Sequence, residues 1–539
     1  MPSALSAPEL SFFSVGPISG ASPVSSPKEV EIKLQLPSDK SARLAGVPML
    51  RGADGSKRSE KQVSVYFDTK RMKLKRHGLT LRVRHVGDRF IQTVKSEDGS
   101  LFDRGEWETE IRDGRPDLKR ADGSALERLG IRKLRKKLRP VFETRVQRTT
   151  YPLARRGSDI ALTIDRGEIG AGKKSMPLYE AELELKRGDR ARLFGLARKF
   201  ARATSAELAV KSKSQRGYEL LAGDGAAAVK GHDIEMTADM PAKAAFQAIA
   251  SACLRQVVAN KPAVLAGDPE GVHQMRIGLR RLRAALSLFS DILADAKTGH
   301  IKAELKWVTN ELGSAREFDV FLSKVVAPLH KQHARLAGMR SLSRDLAERR
   351  EAAIARAAEA IASKRFRDLT LDIATWLETG GWRQPRNRQA RERGEAPIET
   401  VAGAQLARRW KKIRKRGRKL AELDSEARHK LRIQAKKLRY ATEFYKAVFT
   451  GKKTEKRRDA FLAALKDMQD RFGELNDIVV HEKLATGIAR TMADRSPRPA
   501  RRAFAAGLLT GHEEARFKPV LAAAEHAFLA FEKLRPYWR

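Results

Sequence analysis

Two short segments set the strongest constraint on how this chain can fold. In EVEIKLQLP, residues 29–37, Val30, Ile32 and Leu34 alternate with Glu29, Glu31 and Lys33. In YEAELELKRGD, residues 179–189, Glu180, Glu182, Glu184 and Lys186 alternate with apolar positions. Side chains i and i+2 of a strand share a face, so each segment gathers carboxylates and a lysine on one side. Six further segments between 28 and 220 alternate similarly: VSVYFD, LTLRVRH, FIQTVK, GEWETEIR, PVFETRVQRTTY and DIALTIDRGE. Eight such strands suit closure into an antiparallel barrel. Helical spacing interrupts them at 117–129 and 189–204.

The other faces repeat the pattern. Arg82 and Arg84 stand opposite Leu81 and Val83, Lys95 follows in the next strand, and Glu106, Glu108 and Glu110 stand opposite Trp107. PVFETRVQR offers Glu143 and Arg145, and Asp165 stands opposite Leu162 and Ile164. A solvated sheet face normally mixes in Ser, Thr and Gln, so paired charge on eight strands predicts a charged barrel interior. Buried carboxylates beside buried arginines are satisfied by each other, by water, or by a ligand carrying both signs. A polyphosphate with divalent metal is such a ligand: carboxylate oxygens suit hard Mg²⁺ or Mn²⁺, and Arg and Lys hold phosphate oxygens.

The Glu-x-Glu-x-Lys of 29–33, with YFDT (66–69), LRVR (81–84), QTVK (92–95), RGEWE (104–108), TIDRG (163–167), YEAELELKRGD and KSKSQRGY (211–218), resembles the CYTH family, the triphosphate tunnel metalloenzymes. The resemblance implies an eight-stranded tunnel that hydrolyses or cyclises triphosphates with two metals. By motif match it implies Glu29, Glu31, Glu182 and Glu184 as metal ligands, with Asp165 and Glu108 as further candidates. It implies Lys33, Arg82, Arg84, Lys95, Arg145 and Lys186 as the phosphate clamp, with Lys211, Lys213 and Arg216 a weaker match. The implied chemistry is in-line attack of water on the terminal phosphorus while cations absorb charge on the leaving diphosphate. GEIGAGKK, residues 167–174, has P-loop spacing but is followed by a proline and an alternating strand, so it predicts a hairpin turn.

After 222–239, a Gly- and Ala-rich stretch read as a linker, the chain has helical spacing to its end. VHQMRIGLRRLR, from Val272, returns 156 residues later as RHKLRIQAKKLRY, from Arg428, and ELGSAREFDV similarly returns as RFGELNDIVV. The alignment pairs His273 with His429, Arg276 with Arg432, Arg280 with Lys436, Arg281 with Lys437, and Arg283 with Arg439; Glu317 falls on Asp477. At about 100° per residue, His273, Arg276, Arg280 and Arg283 fall on one stripe, as do His429, Arg432, Lys436 and Arg439. The stripes are read as lacking acidic partners at i+4, so like-charge crowding favours a polyanionic ligand. LARRWKKIRKRGRKL similarly stacks Arg408, Lys412, Lys415 and Lys419. The repeat resembles the CHAD domain, which implies two pseudo-symmetric helical bundles around a basic groove for inorganic polyphosphate.

The expected fold is therefore α+β and multidomain. It comprises a disordered tail (1–27), an eight-stranded antiparallel barrel (28–221), a linker (222–239), and a duplicated all-α domain (240–539, repeats about 240–382 and 398–539). The basic stretch 383–397 finds no explanation in the sequence. The formal charge of +42 attracts polyanions, and both parts share it, +25 over 230–539 and +17 before. Nucleic acid is not favoured, because no helix-turn-helix, RNP or zinc signature is present and aromatics are 6% of the chain. No apolar run of membrane-spanning length and no secretory signal pattern is found, and the lone Cys253 reads as a small core residue. A cytoplasmic protein is expected, which the resemblance extends to association with polyphosphate granules. The reading is a Mg²⁺- or Mn²⁺-dependent inorganic triphosphatase with a polyphosphate-binding helical domain. Its alternatives are an enzyme for organic triphosphates (nucleoside or thiamine triphosphatase, adenylate cyclase) and a polyphosphate binder without turnover.

Overall fold

The computed structural model describes residues 28–37, 44, 47–51, 56–96, 101–121, 123–130, 134–155, 157–223, 225–293, 295–333, 337–493 and 499–538. The expected tail, 1–27, lies outside them. Eight antiparallel strands close on themselves: β1 (Lys28–Gln35), β2 (Arg58–Thr69), β3 (Leu79–Val86), β4 (Arg89–Ser96), β5 (Asp103–Ile111), β6 (Leu138–Arg155), β7 (Ser158–Ala171) and β8 (Lys174–Arg187). Their order is β5-β4-β3-β2-β6-β7-β8-β1, and pairing of β1 with β5 shuts the barrel. A two-residue strand β9 (Glu207–Leu208) adds to β1. The segments EVEIKLQLP and YEAELELKRGD are neighbours, with Glu31 opposite Glu184 and Lys33 opposite Glu182. The 167–174 stretch forms the β7–β8 hairpin, and Gly172 takes the positive φ (61°) that a tight turn there requires.

Alternation sorts the side chains. Ile32, Leu34, Leu162, Ile164 and Leu183 point outward and pack against Leu193, Phe194, Ala197 and Phe200 of helix Arg190–Thr204. On another flank, Leu81, Val83 and Val94 are covered by Leu118, Leu126 and Leu129 from two 3-10 turns, Leu118–Ala121 and Ala125–Leu129. Helix Lys213–Ala222 stops one end of the barrel. Its Tyr218 meets Phe142 edge-on at 5.0 Å, and Phe142 stacks on Tyr66 at 4.5 Å. A Cβ at Gly217 would meet the Phe142 ring at 2.2 Å, so only glycine allows this approach. Asp68, of the YFDT motif, is fully buried; it accepts from the backbone N–H of Leu74 and Lys75 and from the Tyr218 hydroxyl at 2.9–3.0 Å. Its carboxylate therefore holds the stopper in place.

The rest of the described chain is helical, and the duplication is visible down to its caps. Helices Pro269–Leu288 and Ser425–Phe444 each begin on an aspartate, Asp268 and Asp424, whose side chain accepts a backbone N–H of the first turn. Met275, Leu279, Leu282 and Leu286 in the first, and Leu431, Ala435 and Leu438 in the second, are buried, which turns the basic stripes away from the core. The 383–397 stretch contains a helix, Arg388–Glu395, capped by Asn387, and Lys243 pairs with Glu395 at its end. The 223–240 stretch holds no regular element among its described residues, yet it is strapped down. Val229 exchanges two 2.8 Å hydrogen bonds with Asn260, and Met240 O accepts from Ile398 N.

The barrel and the helices share one apolar core. Helix Arg190–Thr204 lies between β8 and helix Lys364–Thr379, where Arg190 pairs with the buried Glu378 at 2.8 Å and Arg198 with Asp372 at 2.5 Å. Lys261 bonds Glu207 of β9 at 2.7 Å.

Candidate functional site

Inside the barrel, cations and carboxylates interleave. Lys33 lies 3.0 Å from Glu31 and 2.5 Å from Glu182. Arg148 takes both oxygens of Asp165, at 2.8 and 2.7 Å, and reaches Glu182 at 3.2 Å. From the stopper helix, Lys213 reaches Glu180 (2.6 Å), Asp165 (2.9 Å) and Glu182 (2.9 Å). Across the lumen, Glu106 receives Lys95 at 2.5 Å and Arg82 at 3.2 Å, while Glu108 accepts from the Thr93 hydroxyl at 2.9 Å and lies 3.6 Å from Arg82. Glu184 and Lys186 pair at 2.5 Å, with Lys186 more than half exposed.

These contacts set the protonation states. Burial alone would raise the Glu182 carboxyl, but Lys213, Lys33 and Arg148 outweigh it and hold the group well below the usual range. Burial would lower Lys213; Glu180, Glu182 and Asp165 instead raise it well above an ordinary lysine. Arg84 stands apart. Among the described residues it makes no ion pair, its Nε is buried without a hydrogen-bond partner, and burial together with Arg82 and Arg148 lowers it to about 10. A half-buried guanidinium with its donors unused, flanked by two others, is prepared for an anion.

One residue expected in the clamp is corrected. Arg145 lies on the outer face of β6, its side chain 61% exposed, paired with Glu143 at 2.5 Å and Glu168 at 3.8 Å. Thr144, Val146 and Arg148 form the inner face, so Arg148 occupies the interior where Arg145 was expected. Asp165, expected among the metal ligands, has both oxygens engaged by Arg148. The side chain of Glu29 lies outside the described residues. Arg148, Glu106 and Glu180 are interior residues not assigned a role from sequence.

Among the described residues no group of three or more His, Cys, Asp or Glu side chains forms a ready-made metal cage. Glu31 and Glu184 nevertheless present carboxylates from directly opposed positions on adjacent strands. Mg²⁺ is commonly held by one or two carboxylates plus substrate phosphates, so this donor set fits a hard divalent cation.

The two helical stripes converge on one groove of about 1040 Å³, lined among others by Arg276, Arg280, Arg283, Arg432, Lys436 and Lys437. His429 also lines it, its Nδ1 2.7 Å from Asn476 Oδ1. Glu317 and Asp477, paired by the repeat, both reach the groove, each lying near its own repeat's Arg276 or Arg432. Burial and then Arg280 lower Arg276 to about 10. The Nε atoms of Arg276, Arg280 and Arg432 are buried without partners.

Other expected groove residues sit differently. His273 is half-buried beside Arg316, and burial lowers its pKa. Arg281 turns aside to Gln256 and the Phe444 ring. Arg439 bonds Glu443 at 3.2 Å, one helical turn on, so the stripes do contain an acidic i+4 partner. Arg408, Lys412, Lys415 and Lys419 are exposed on helix Ile398–Gly417 and the turn after it; Lys419 pairs with Glu422, and Lys412 is close enough to Lys437 to help lower its pKa.

The barrel and the groove together define a protein with two polyanion-suited sites, and comparison gives them families. Residues 27–218 match the CYTH domain model and residues 248–486 the CHAD domain model. The chain therefore carries a CYTH domain followed by a CHAD domain. The CYTH family acts on triphosphates and uses divalent metals. Similar solved structures include the CHAD domain from the plant Ricinus communis, 27% identical over 57% of this chain and 98% of that one, with a TM-score of 0.49. PptA from Streptomyces chartreusis is 18% identical over 54% of this chain and 100% of its own (TM-score 0.41). HpAC1 from Hippeastrum, proposed as an adenylyl cyclase and found to have a dominant triphosphatase activity, is 19% identical over 35% and 95% (TM-score 0.28). Among the described residues no helix is long and apolar enough to cross a membrane.

Proposed function

We propose that the chain is a divalent-metal-dependent inorganic triphosphatase whose helical groove binds inorganic polyphosphate. The observation that carries the barrel half is Arg84, an unpaired and desolvated guanidinium beside Arg82 and Arg148 in a lumen otherwise neutralised pair by pair. Arg84, Arg82, Lys95 and Lys33 hold the phosphate chain. Asp165 and Glu180 fix Arg148 and Lys213 so that their charge is preorganised for the developing negative charge of the leaving diphosphate. Mg²⁺ or Mn²⁺ at Glu31 and Glu184, with Glu29, would supply Lewis acidity toward phosphoryl oxygens and a more acidic attacking water. Glu182 and Glu108 border this region, and Lys186 stands at its rim. The stopper helix closes the far end, which limits how long a chain can enter.

A comparison of phosphate release from triphosphate, ATP and thiamine triphosphate, with a cyclic AMP assay alongside, tests the substrate. Triphosphate is expected to be turned over fastest; preference for an organic substrate overturns the assignment. For the groove, long-chain polyphosphate should outcompete duplex DNA of matched charge at one salt concentration, since both weaken as salt rises.

A further inference from the structure

The groove contains an amine with unusual surroundings. Lys436 projects from helix Ser425–Phe444 with Arg432 one turn before it, Arg439 after it, and Arg280 facing it from helix Pro269–Leu288. The carboxylate near it is Asp477, on helix Lys452–Ala493, which lies beyond ion-pair range. Among the described residues the Lys436 amine forms no ion pair and no hydrogen bond, and it is not sealed from solvent. An amine held among guanidiniums and partly desolvated favours its neutral, nucleophilic form. Burial, then Arg432 and Arg280, lower Lys436 to about 7. The guanidiniums that discourage its proton also have unused Nε donors, at Arg280 and Arg432, suited to a phosphate.

We propose that Lys436 is a site of self-acylation by small acyl phosphates, whose phosphate docks on Arg280 and Arg432 while the amine attacks the adjoining carbonyl. In the step, the Lys436 nitrogen forms a C–N bond to the carbonyl carbon and the C–O bond to phosphate breaks. The phosphate departs with the bonding pair and takes up the proton released by the amine, leaving a neutral amide and inorganic phosphate. Acylation prevents the amine from taking up a proton when a polyanion binds, so it reduces attraction for any polyanion there. The inference shares the groove with the polyphosphate reading but rests on Lys436 and its neighbours alone.

The test treats the full chain with acetyl phosphate at neutral pH and follows acetylation of each lysine by mass spectrometry. Lys411 and Lys415, exposed on helix Ile398–Gly417, are internal references. A lysine neutral near pH 7 should react at least about ten-fold faster than ordinary ones, even after allowing for its lower intrinsic nucleophilicity. Excess inorganic phosphate should slow Lys436 and leave the references unchanged, and Arg280→Gln should do the same. Labelling of Lys436 no faster than Lys411 and Lys415, or insensitive to phosphate, overturns the proposal. If inorganic phosphate protects Lys436 and long-chain polyphosphate does not, this proposal stands and the polyphosphate reading falls.

Discussion

Arg148 and Asp165 face each other at paired positions of β6 and β7 and share two hydrogen bonds, Nε to Oδ1 at 2.8 Å and Nη2 to Oδ2 at 2.7 Å. Asp165 is 1% exposed by its side chain and also holds Lys213. Removing one partner of such a buried pair strands the other charge, at about 3–5 kcal/mol. Asp165→Asn, nearly isosteric, is therefore expected to lower stability in urea unfolding by about the low end of that range, because Arg148 keeps Glu182 and Lys213 keeps Glu180 and Glu182. Adding Arg148→Gln should recover part of the loss, because the stranded charge is then gone.

Arg84 should behave oppositely. It already bears its desolvation without a partner, so Arg84→Ala should leave the urea midpoint unchanged or slightly higher. Triphosphate turnover should fall about 10²–10³-fold, the usual loss when one preorganised transition-state donor is deleted. Unchanged turnover contradicts its place in the clamp.

Lys436 makes the groove sensitive to pH. Its folded-state pKa, about 7, lies below the roughly 10.4 of an unfolded lysine. Between those values the unfolded chain binds the proton and the folded chain does not, so this group makes stability rise with pH across that window. A polyanion in the groove restores the charged amine, so polyphosphate binding should take up a proton and weaken as pH rises through about 7. Calorimetry in buffers of differing ionisation enthalpy measures that uptake, and Lys436→Arg should abolish it.

Arg276 and Arg432 are equivalent in the two repeats and line the same groove. Reversing both to Glu should weaken long-chain polyphosphate binding by at least about ten-fold, given the steep charge dependence of polyanion binding. Triphosphate turnover, measured in parallel, should persist, since neither residue reaches the barrel. An equal fall in both assays refutes the division of labour.

Much of this was legible because strand alternation separates core from lumen. Ile32 and Leu34 against Glu31 and Lys33 leave no doubt about which face is which. β6 was misread because both of its faces carry charge: Glu143 and Arg145 on one, Arg148 on the other. Only the register with β2 and β7, where Arg148 meets Asp165, decides between them. Lys213 enters the lumen from a helix packed across the barrel end, a long-range event that no strand pattern announces, although KSKSQRGY marks the place. On helix Pro269–Leu288 the stripe of Arg276, Arg280 and Arg283 was readable from its spacing. Arg281, about 100° round from Arg280, was grouped with it by repeat alignment and instead packs on Phe444. The basic stretch 383–397, which composition leaves unexplained, contains a helix that Asn387 caps.

Phosphate release from inorganic triphosphate by the purified chain, measured with Mg²⁺, with Mn²⁺ and with chelator, tests the proposed activity of the barrel most directly. Turnover that requires one of the metals and stops on chelation is the expected result. No turnover with either metal, in a chain that remains folded, contradicts the assignment of the barrel as a triphosphatase.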